Sequence, residues 1–267
     1  MTQILAVTNQ KGGVGKTTTS VNLSASLAAT KRRVLLIDMD PQGNTTMGCG
    51  VDKHALELTT CDVLLGDATA SEVITHLDEW HFDLLPANSD LTVAEVKLTS
   101  MFGREYKLRK ALEPVAAGYD FIFIDCPPSL NMLTVNAMVA ARGVMIPMQC
   151  EYYALEGLSA LLNTIAEIRD SVNPALEIFG LLRTMYDPRN NLARDVSEQL
   201  ESHFEDKVFN TIVPRNIRLA EAPSHGTPIL HYDRNSTGAK AYLALAGEVL
   251  RRISGTTSIN AGVETHG

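Results

Sequence analysis

The sequence predicts an α/β fold, a mostly parallel twisted sheet flanked by helices on both faces. Three observations carry that expectation. Short apolar runs of strand length recur along the chain, stretches with helical periodicity lie between them, and the first run leads straight into a glycine-rich loop. At 267 residues, 45% hydrophobic and 20% charged, the chain suits one domain with a sizeable core. No internal repeat or interdomain linker is visible.

Ile4-Leu5-Ala6-Val7 reads as a buried parallel strand. The glycines follow at once, and Thr17 to Ala29 then reads as a helix with Val21, Leu23, Leu27 and Ala28 on its apolar side. Val34 to Ile37 is a second strand, ending in Asp38 and Asp40, after which Pro41 and Gly43 turn the chain. Phe82–Leu85 is a short strand, and Arg104–Ala116 a helix. Phe121 to Ile124 is another strand, closed by Asp125 and a Pro127-Pro128 stop. Strands over Gly143–Met148 and Ile178–Met185 alternate with helices over Ala154–Ser171 and Ala193–Phe204. The last strong helix, Ala239–Arg252, carries Tyr242, Leu243, Leu245, Ala246, Val249 and Leu250, the content of a core-packing helix. The domain is expected to span residues 1–253. Residues 254–267 are small, polar and without period, and are expected to form a disordered tail.

The loop is the most informative stretch. The common phosphate-binding pattern is G-x-x-x-x-G-K-[ST]. Gly15-Lys16-Thr17 fits its end, Gln10 stands where the first glycine belongs, and a second lysine, Lys11, sits at the entrance. Gly12, Gly13 and Gly15 let backbone N–H groups converge on phosphate oxygens. The following helix N-terminus adds unpaired donors and a favourable dipole. Candidate ligands of a nucleotide are therefore Lys11, Gly12, Gly13, Val14, Gly15, Lys16, Thr17 and Thr18. Lys16 would hold the β- and γ-phosphates, and the Thr17 hydroxyl would ligate Mg²⁺. A solvated loop lysine is the ordinary fate of Lys11. Its place beside two glycines instead argues an approach to phosphate, with room to point toward a ligand held by another subunit.

Two strand ends add carboxylates. In open parallel sheets ligands sit beyond the carboxyl ends of the strands. Asp38 and Asp40 point the same way if the strand persists, with Asp38 nearer Mg²⁺ and Asp40 placed to orient an attacking water. A turn or helix cap is the plainer reading of either one alone. Asp125 closes an apolar strand in Walker B fashion and would hold Mg²⁺ through water.

With these motifs placed, the chain resembles the ParA/Soj family of partitioning ATPases, within the deviant-Walker group of P-loop NTPases that includes MinD. The resemblance runs from Met1 to about Ile253. It rests on Lys11-Gly12-Gly13-Val14-Gly15-Lys16-Thr17-Thr18, Asp38-Met39-Asp40-Pro41-Gln42-Gly43-Asn44 and Asp125-Cys126-Pro127-Pro128-Ser129. It rests also on the stretch from Gln149 to Gly157, on Val213-Pro214-Arg215-Asn216, and on Glu221-Ala222-Pro223-Ser224-His225-Gly226. The resemblance implies an ATP-dependent sandwich dimer in which Lys11 crosses to the partner's phosphates and Gly12 lies at the interface. It implies that Asp40 positions the hydrolytic water and that Pro214 and Asn216 lie near the adenine. It further implies non-specific DNA binding by the ATP dimer, with hydrolysis stimulated by a ParB-type centromere-binding protein. Arg189 and Arg218 fall where the Soj-like branch places DNA-contacting arginines.

Charge alone does not advertise a nucleic-acid binder, because the net charge is −8. It is uneven, however. Residues 183–252 carry ten Lys/Arg against nine Asp/Glu, whereas residues 1–182 carry thirteen against twenty-one. Dimerisation would double any basic patch on the C-terminal third. Cys49, Cys61, Cys126 and Cys150 lack C-x-x-C spacing, which weighs against iron–sulfur relatives. No signal peptide or transmembrane run is visible, so a cytoplasmic protein is expected, and the resemblance implies that it associates with the nucleoid. The loop starts at Asn9, leaving no room for a preceding operator-binding helix-turn-helix. A MinD-like membrane switch is the alternative. It would want a C-terminal basic amphipathic helix, and the residues after Ser254 show no apolar face. A ligase-type metabolic enzyme would want a small-substrate pocket, which the sequence does not identify.

Overall fold

A computed structural model describes the backbone of residues 2–261 and the side chains to Ser254. The chain begins β1 (Gln3–Val7), α1 (Lys16–Ala28), β2 (Val34–Asp38), α2 (Asn44–Gly48), α3 (Thr60–Leu65) and α4 (Ala70–Val73). It continues with β3 (Thr75–Leu77), β4 (Phe82–Leu85), α5 (Leu91–Leu98), α6 (Lys107–Ala116), β5 (Phe121–Asp125) and α7 (Met132–Ala140). The second half holds β6 (Gly143–Met148), α8 (Ala154–Ser171), β7 (Glu177–Arg183), α9 (Asn191–Phe204), α10 (Ile217–Glu221), α11 (Ile229–Tyr232) and α12 (Thr237–Ala261).

The seven strands form one sheet in the order β3-β4-β2-β5-β1-β6-β7. All neighbours are parallel except β3, which runs antiparallel to β4 at one edge. The expected mostly parallel sheet with helices on both faces is thus observed. Alternation along the strands sorts the core. Leu35, Ile37, Ile122, Ile124, Val144 and Ile146 face one layer. Leu36, Phe121, Phe123 and Met145 face the other, where α1 (Leu23, Leu27) and α12 (Tyr242, Leu245, Val249) cover them. Strands buried on both faces read as continuous apolar runs, which is why the sequence shows them clearly.

Two differences have simple causes. β3 was not expected: only three residues long, with Leu77 its one buried side chain, it leaves no period to read. At the other end, α12 runs to Ala261 rather than stopping at Arg252. The first part of the stretch expected as a disordered tail is therefore helical. A helix already nucleated and packed adds residues at little cost, and no proline stops this one. The rest of that expectation, residues 262–267, lies outside the described residues. Among the described residues, no helix is long and apolar enough to cross a membrane.

Candidate nucleotide-binding site

Strand register assembles the site. β5 lies between β1 and β2, and the pairing sets Val7, Asp125 and Asp38 at one level at the carboxyl ends of three adjacent strands. The loop leaves β1 at that level and returns as α1. Gly13 and Gly15 take left-handed backbone, φ 73° and 87°, which only glycine adopts without strain. Gly15 is the N-cap of α1, no side chain caps it, and no acid lies in the first turn. The first N–H groups of α1 are left for an anion. Thr184 anchors the loop from the far side, its hydroxyl donating to the Val14 carbonyl at 2.7 Å.

Lys16 is buried, and its ammonium donates to the Lys11 carbonyl at 3.2 Å. Burial lowers its pKa from the ordinary lysine value, while Asp125 works in the opposite direction. Asp125 has no exposed surface and accepts three hydroxyls, from Thr17 at 2.7 Å, Thr45 at 2.6 Å and Ser20 at 2.9 Å. Asp38, equally buried, accepts the Thr46 N–H at 2.9 Å, the Thr46 hydroxyl at 2.7 Å and the Asp40 N–H at 3.1 Å. Burial, and then the neighbouring Asp125 charge, push Asp38 up to about 7 despite those hydrogen bonds. Burial also raises Asp125. Two carboxylates held so close and so dry are short of positive charge.

The donors fit Mg²⁺. A threonine hydroxyl stands 2.7 Å from one buried carboxylate oxygen, with a second carboxylate opposite in register: hard oxygen donors that leave positions for phosphate and water. Among the described residues no group of three His, Cys, Asp or Glu could hold a metal by itself, so the protein supplies only part of a coordination shell. Thr17, Asp38 and Asp125, expected together, are together. Asp40 is also buried here, but β2 ends at Asp38 and strand alternation does not carry to it. Its side chain accepts the Gln42 N–H at 2.9 Å, the turn role that was its plainer reading.

Lys11 stands at the rim, its side chain 43% exposed, in an ion pair with Glu151 just after β6. Gly12 is exposed, and a side chain there would meet no atom within 4 Å. Beside the loop lies a cavity of about 150 Å³, lined by Thr18, Thr184, Met185, Pro214, Asn216 and Tyr242 among others. Pro214 and Asn216, expected near an adenine, both line it. The Asn216 side chain is already engaged, accepting the Leu219 N–H at 3.0 Å as the cap of α10 and donating to Thr237 at 2.9 Å.

The two candidate DNA contacts are exposed and each is matched by acid. Arg189 pairs with Asp187 at 2.8 Å; Arg218 pairs with Glu221 at 2.8 Å and Asp233 at 3.6 Å. Sequence reasoning missed Ser20, Thr45, Thr46 and Glu151. A hydroxyl one helical turn beyond Lys16 and the Thr45-Thr46 pair just after the Gly43 turn were the available signals. Glu151 lies in the Gln149–Gly157 stretch that carries the resemblance, but nothing local marked it as the partner of Lys11, 140 residues away.

A protein-family model described as an AAA domain matches residues 2–178. The chain is 53% identical to the sporulation initiation inhibitor protein Soj of Bacillus subtilis, over 93% of this chain and 98% of that one. It is 50% identical to the chromosome partitioning protein ParA of Caulobacter vibrioides, over 94% of each. Among solved structures it is similar to cobyrinic acid a,c-diamide synthase from Mycobacterium smegmatis with bound ATP analogue and magnesium. That likeness is 40% identity with a TM-score of 0.84, covering 95% of this chain and 96% of that one. The partitioning proteins match at higher identity, and they match over almost their whole length. With the loop, the paired carboxylates and the sheet order in place, the chain belongs to the ParA/Soj family of partitioning ATPases.

Proposed function

We propose that this chain binds Mg²⁺ and ATP at the β1–α1 loop, pairs with a second copy across the nucleotide, and in that form holds DNA without sequence preference. The observation that carries the reading is the meeting of Lys16, Thr17, Asp38 and Asp125 at the carboxyl ends of three adjacent strands. Lys16 and the N–H groups of the loop and α1 hold and neutralise the phosphates. Thr17 and Asp125, with Asp38 behind, would hold Mg²⁺, which would supply charge neutralisation at the phosphates. Asp40 leaves its turn hydrogen bond to orient the attacking water.

Pairing accounts for the rim. Gly12 faces open space in the single chain, so bulk at this position matters only when another molecule approaches. Lys11, half-exposed at the same rim, reaches the partner's phosphates. The pairing doubles the arginine surface at Arg189 and Arg218, and DNA phosphates replace their present carboxylate partners. A ParB-type protein stimulates hydrolysis, parts the dimer and frees the DNA. The protein then works in the cytoplasm at the nucleoid. The membrane alternative is less well supported: in α12, Ala239, Tyr242, Leu245, Ala246 and Val249 are buried in the core and offer no lipid-facing stripe.

The test is sizing and DNA binding with ATP, ADP and no nucleotide. The expected result is an ATP-only dimer that alone binds DNA. Gly12→Val should keep nucleotide binding and abolish that dimer. ATP-independent DNA binding, or a Gly12→Val chain that still pairs, would sink the reading.

A further inference from the structure

The Glu221–Gly226 stretch makes a contact that its motif does not explain. Its last residue, Gly226, packs main chain against main chain on Gly50, just beyond α2. A Cβ on Gly226 would lie 2.6 Å from the Gly50 Cα, and one on Gly50 would lie 3.0 Å from the Gly226 carbonyl oxygen. Both glycines have left-handed backbone, φ 60° and 82°. A contact between side chains absorbs a displacement by changing rotamers. Two backbones in contact have no such slack.

At its other end α2 holds the two metal-facing carboxylates, one on each of two adjacent residues. The Thr45 hydroxyl donates to Asp125 Oδ2 at 2.6 Å, and Thr46 donates to Asp38 Oδ2 from its N–H at 2.9 Å and its hydroxyl at 2.7 Å. Neither threonine has exposed surface. Asp125 Oδ2 also accepts the Thr17 hydroxyl at 2.7 Å. A carboxylate oxygen offers about two lone-pair sites, so these two donors fill it. Whatever binds between Thr17 and Asp125, a Mg²⁺ or its water, competes with Thr45 for that oxygen. Filling the metal site therefore bears on Thr45, and through it on α2.

From Gly226 the chain leads back to Arg218 through braced steps. Ala222–His225 is a tight 3-10 turn, closed by the Gly226 N–H on the Pro223 carbonyl at 3.1 Å and the Thr227 N–H on the Ala222 carbonyl at 3.3 Å. Glu221, just before it, accepts the Arg218 guanidinium at 2.8 Å and the Tyr232 hydroxyl at 3.3 Å on one oxygen. Beyond the turn, the Ile229 N–H donates to the Asn22 side chain on α1 at 2.6 Å. The stretch is pinned to α1 on one side and rests on α2 on the other. A shift of α2 against α1 falls on the turn that carries the partner of Arg218.

We propose that α2 is a relay: Thr45 and Thr46 position the two carboxylates and register a filled metal site, and the Gly50–Gly226 contact passes that state to Arg218. The DNA surface then answers to Mg²⁺ and nucleotide within each chain, in addition to pairing. This rests on the nucleotide and DNA reading above and deepens it.

Trp80 reports on the Gly50 end. It is the sole tryptophan, its indole N–H donates to the Cys49 carbonyl at 3.1 Å, and its ring lies 4.9 Å from that of His231. The test follows its fluorescence in the full chain with ATP plus Mg²⁺ and with ATP plus EDTA, while calorimetry reads ATP binding. Mg²⁺ should shift the emission in wild type and equally in Gly12→Val, because the relay works without pairing. Thr45→Val at saturating Mg·ATP should lose the shift, and Thr45→Ser should restore it. Downstream, Gly226→Ala should keep the Trp80 shift and the ATP-driven pair. It should lose about tenfold or more of the DNA affinity that Mg·ATP confers, within the range of coupling between sites. Gly50→Ala, whose contact is less tight, takes its place if Gly226→Ala does not fold, and the Trp80 measurement needs neither. A Gly12→Val chain that binds Mg·ATP with no shift would overturn the relay. So would a glycine variant that melts lower yet keeps the whole Mg·ATP effect on DNA, the mark of a merely structural contact. If instead Gly12→Val binds no nucleotide, or Arg218→Ala leaves DNA affinity unchanged, the nucleotide or DNA reading fails and takes the relay with it.

Discussion

Asp38 and Asp125 lie level on adjacent strands with no exposed surface, and their cost is set by proton linkage. The folded chain holds a proton on Asp38 up to about pH 7, while an unfolded aspartate releases it near its ordinary value of 3.8. As pH rises through that window the unfolded chain loses the proton first, so unfolding becomes easier. The contribution is absent below the lower value and full above the upper one. Without nucleotide or Mg²⁺, denaturation should therefore show Asp38→Asn gaining on wild type from pH 4 to pH 8, by at most about 4 kcal/mol. A constant difference across that range would count against the burial argument. Lys16→Ala should abolish nucleotide binding, read by calorimetry. Asp40→Ala should retain ATP and accumulate the paired form, with hydrolysis down by about 10²-fold or more for a lost water-positioning group. At this level the sequence disclosed the residues that motifs carry, Lys16, Thr17 and the three aspartates. It did not disclose the hydroxyls of Ser20, Thr45 and Thr46, because single threonines and serines are common and their meaning comes only from the carboxylate they reach.

The elements divide by how much of their sequence is tied to burial. β1, β2, β5 and β6 are covered on both faces and read directly as apolar runs. α2 to α5 are short, and their buried residues are set by neighbours rather than by a sustained period, so none was expected. β7 holds a position with its own constraint. A methyl group on Gly180 would lie 2.5 Å from a ring carbon of Phe209. Phe209 has no exposed surface, and the Arg252 guanidinium sits 4.0 Å above its ring, so the ring has little freedom to withdraw. Gly180→Ala should lower stability by about 1–3 kcal/mol, seen as a lower urea midpoint with nucleotide affinity largely intact. A neutral substitution would mean that the Phe209 site relaxes more easily than its packing suggests.

For the molecule as a whole, the net charge of −8 opposes DNA, so a local patch must outweigh the global field. With about five phosphates contacted, affinity should fall about 10²–10³-fold between 50 and 200 mM salt. Arg189→Glu should weaken DNA binding and leave ATP-driven pairing intact; unchanged DNA affinity would remove Arg189 from the surface. The fold and the phosphate cradle were readable because each depends on a local stretch of chain. Lys11 and Glu151 were not readable as a pair, since the loop after β1 and the segment after β6 meet only once the sheet has formed. That pair has a consequence if Lys11 serves a second subunit as proposed. Glu151 is then a rival anion, and pairing of two subunits is an exchange reaction in which a foreign phosphate must displace a resident carboxylate. An exposed ion pair is worth at most about 1 kcal/mol, so Glu151 can bias the exchange about fivefold per subunit and no more. Such a rival leaves a triphosphate able to win and tips a weaker contender the other way. The short side chain of Glu151 would thus work as a threshold that keeps lone subunits from pairing on an ill-charged nucleotide.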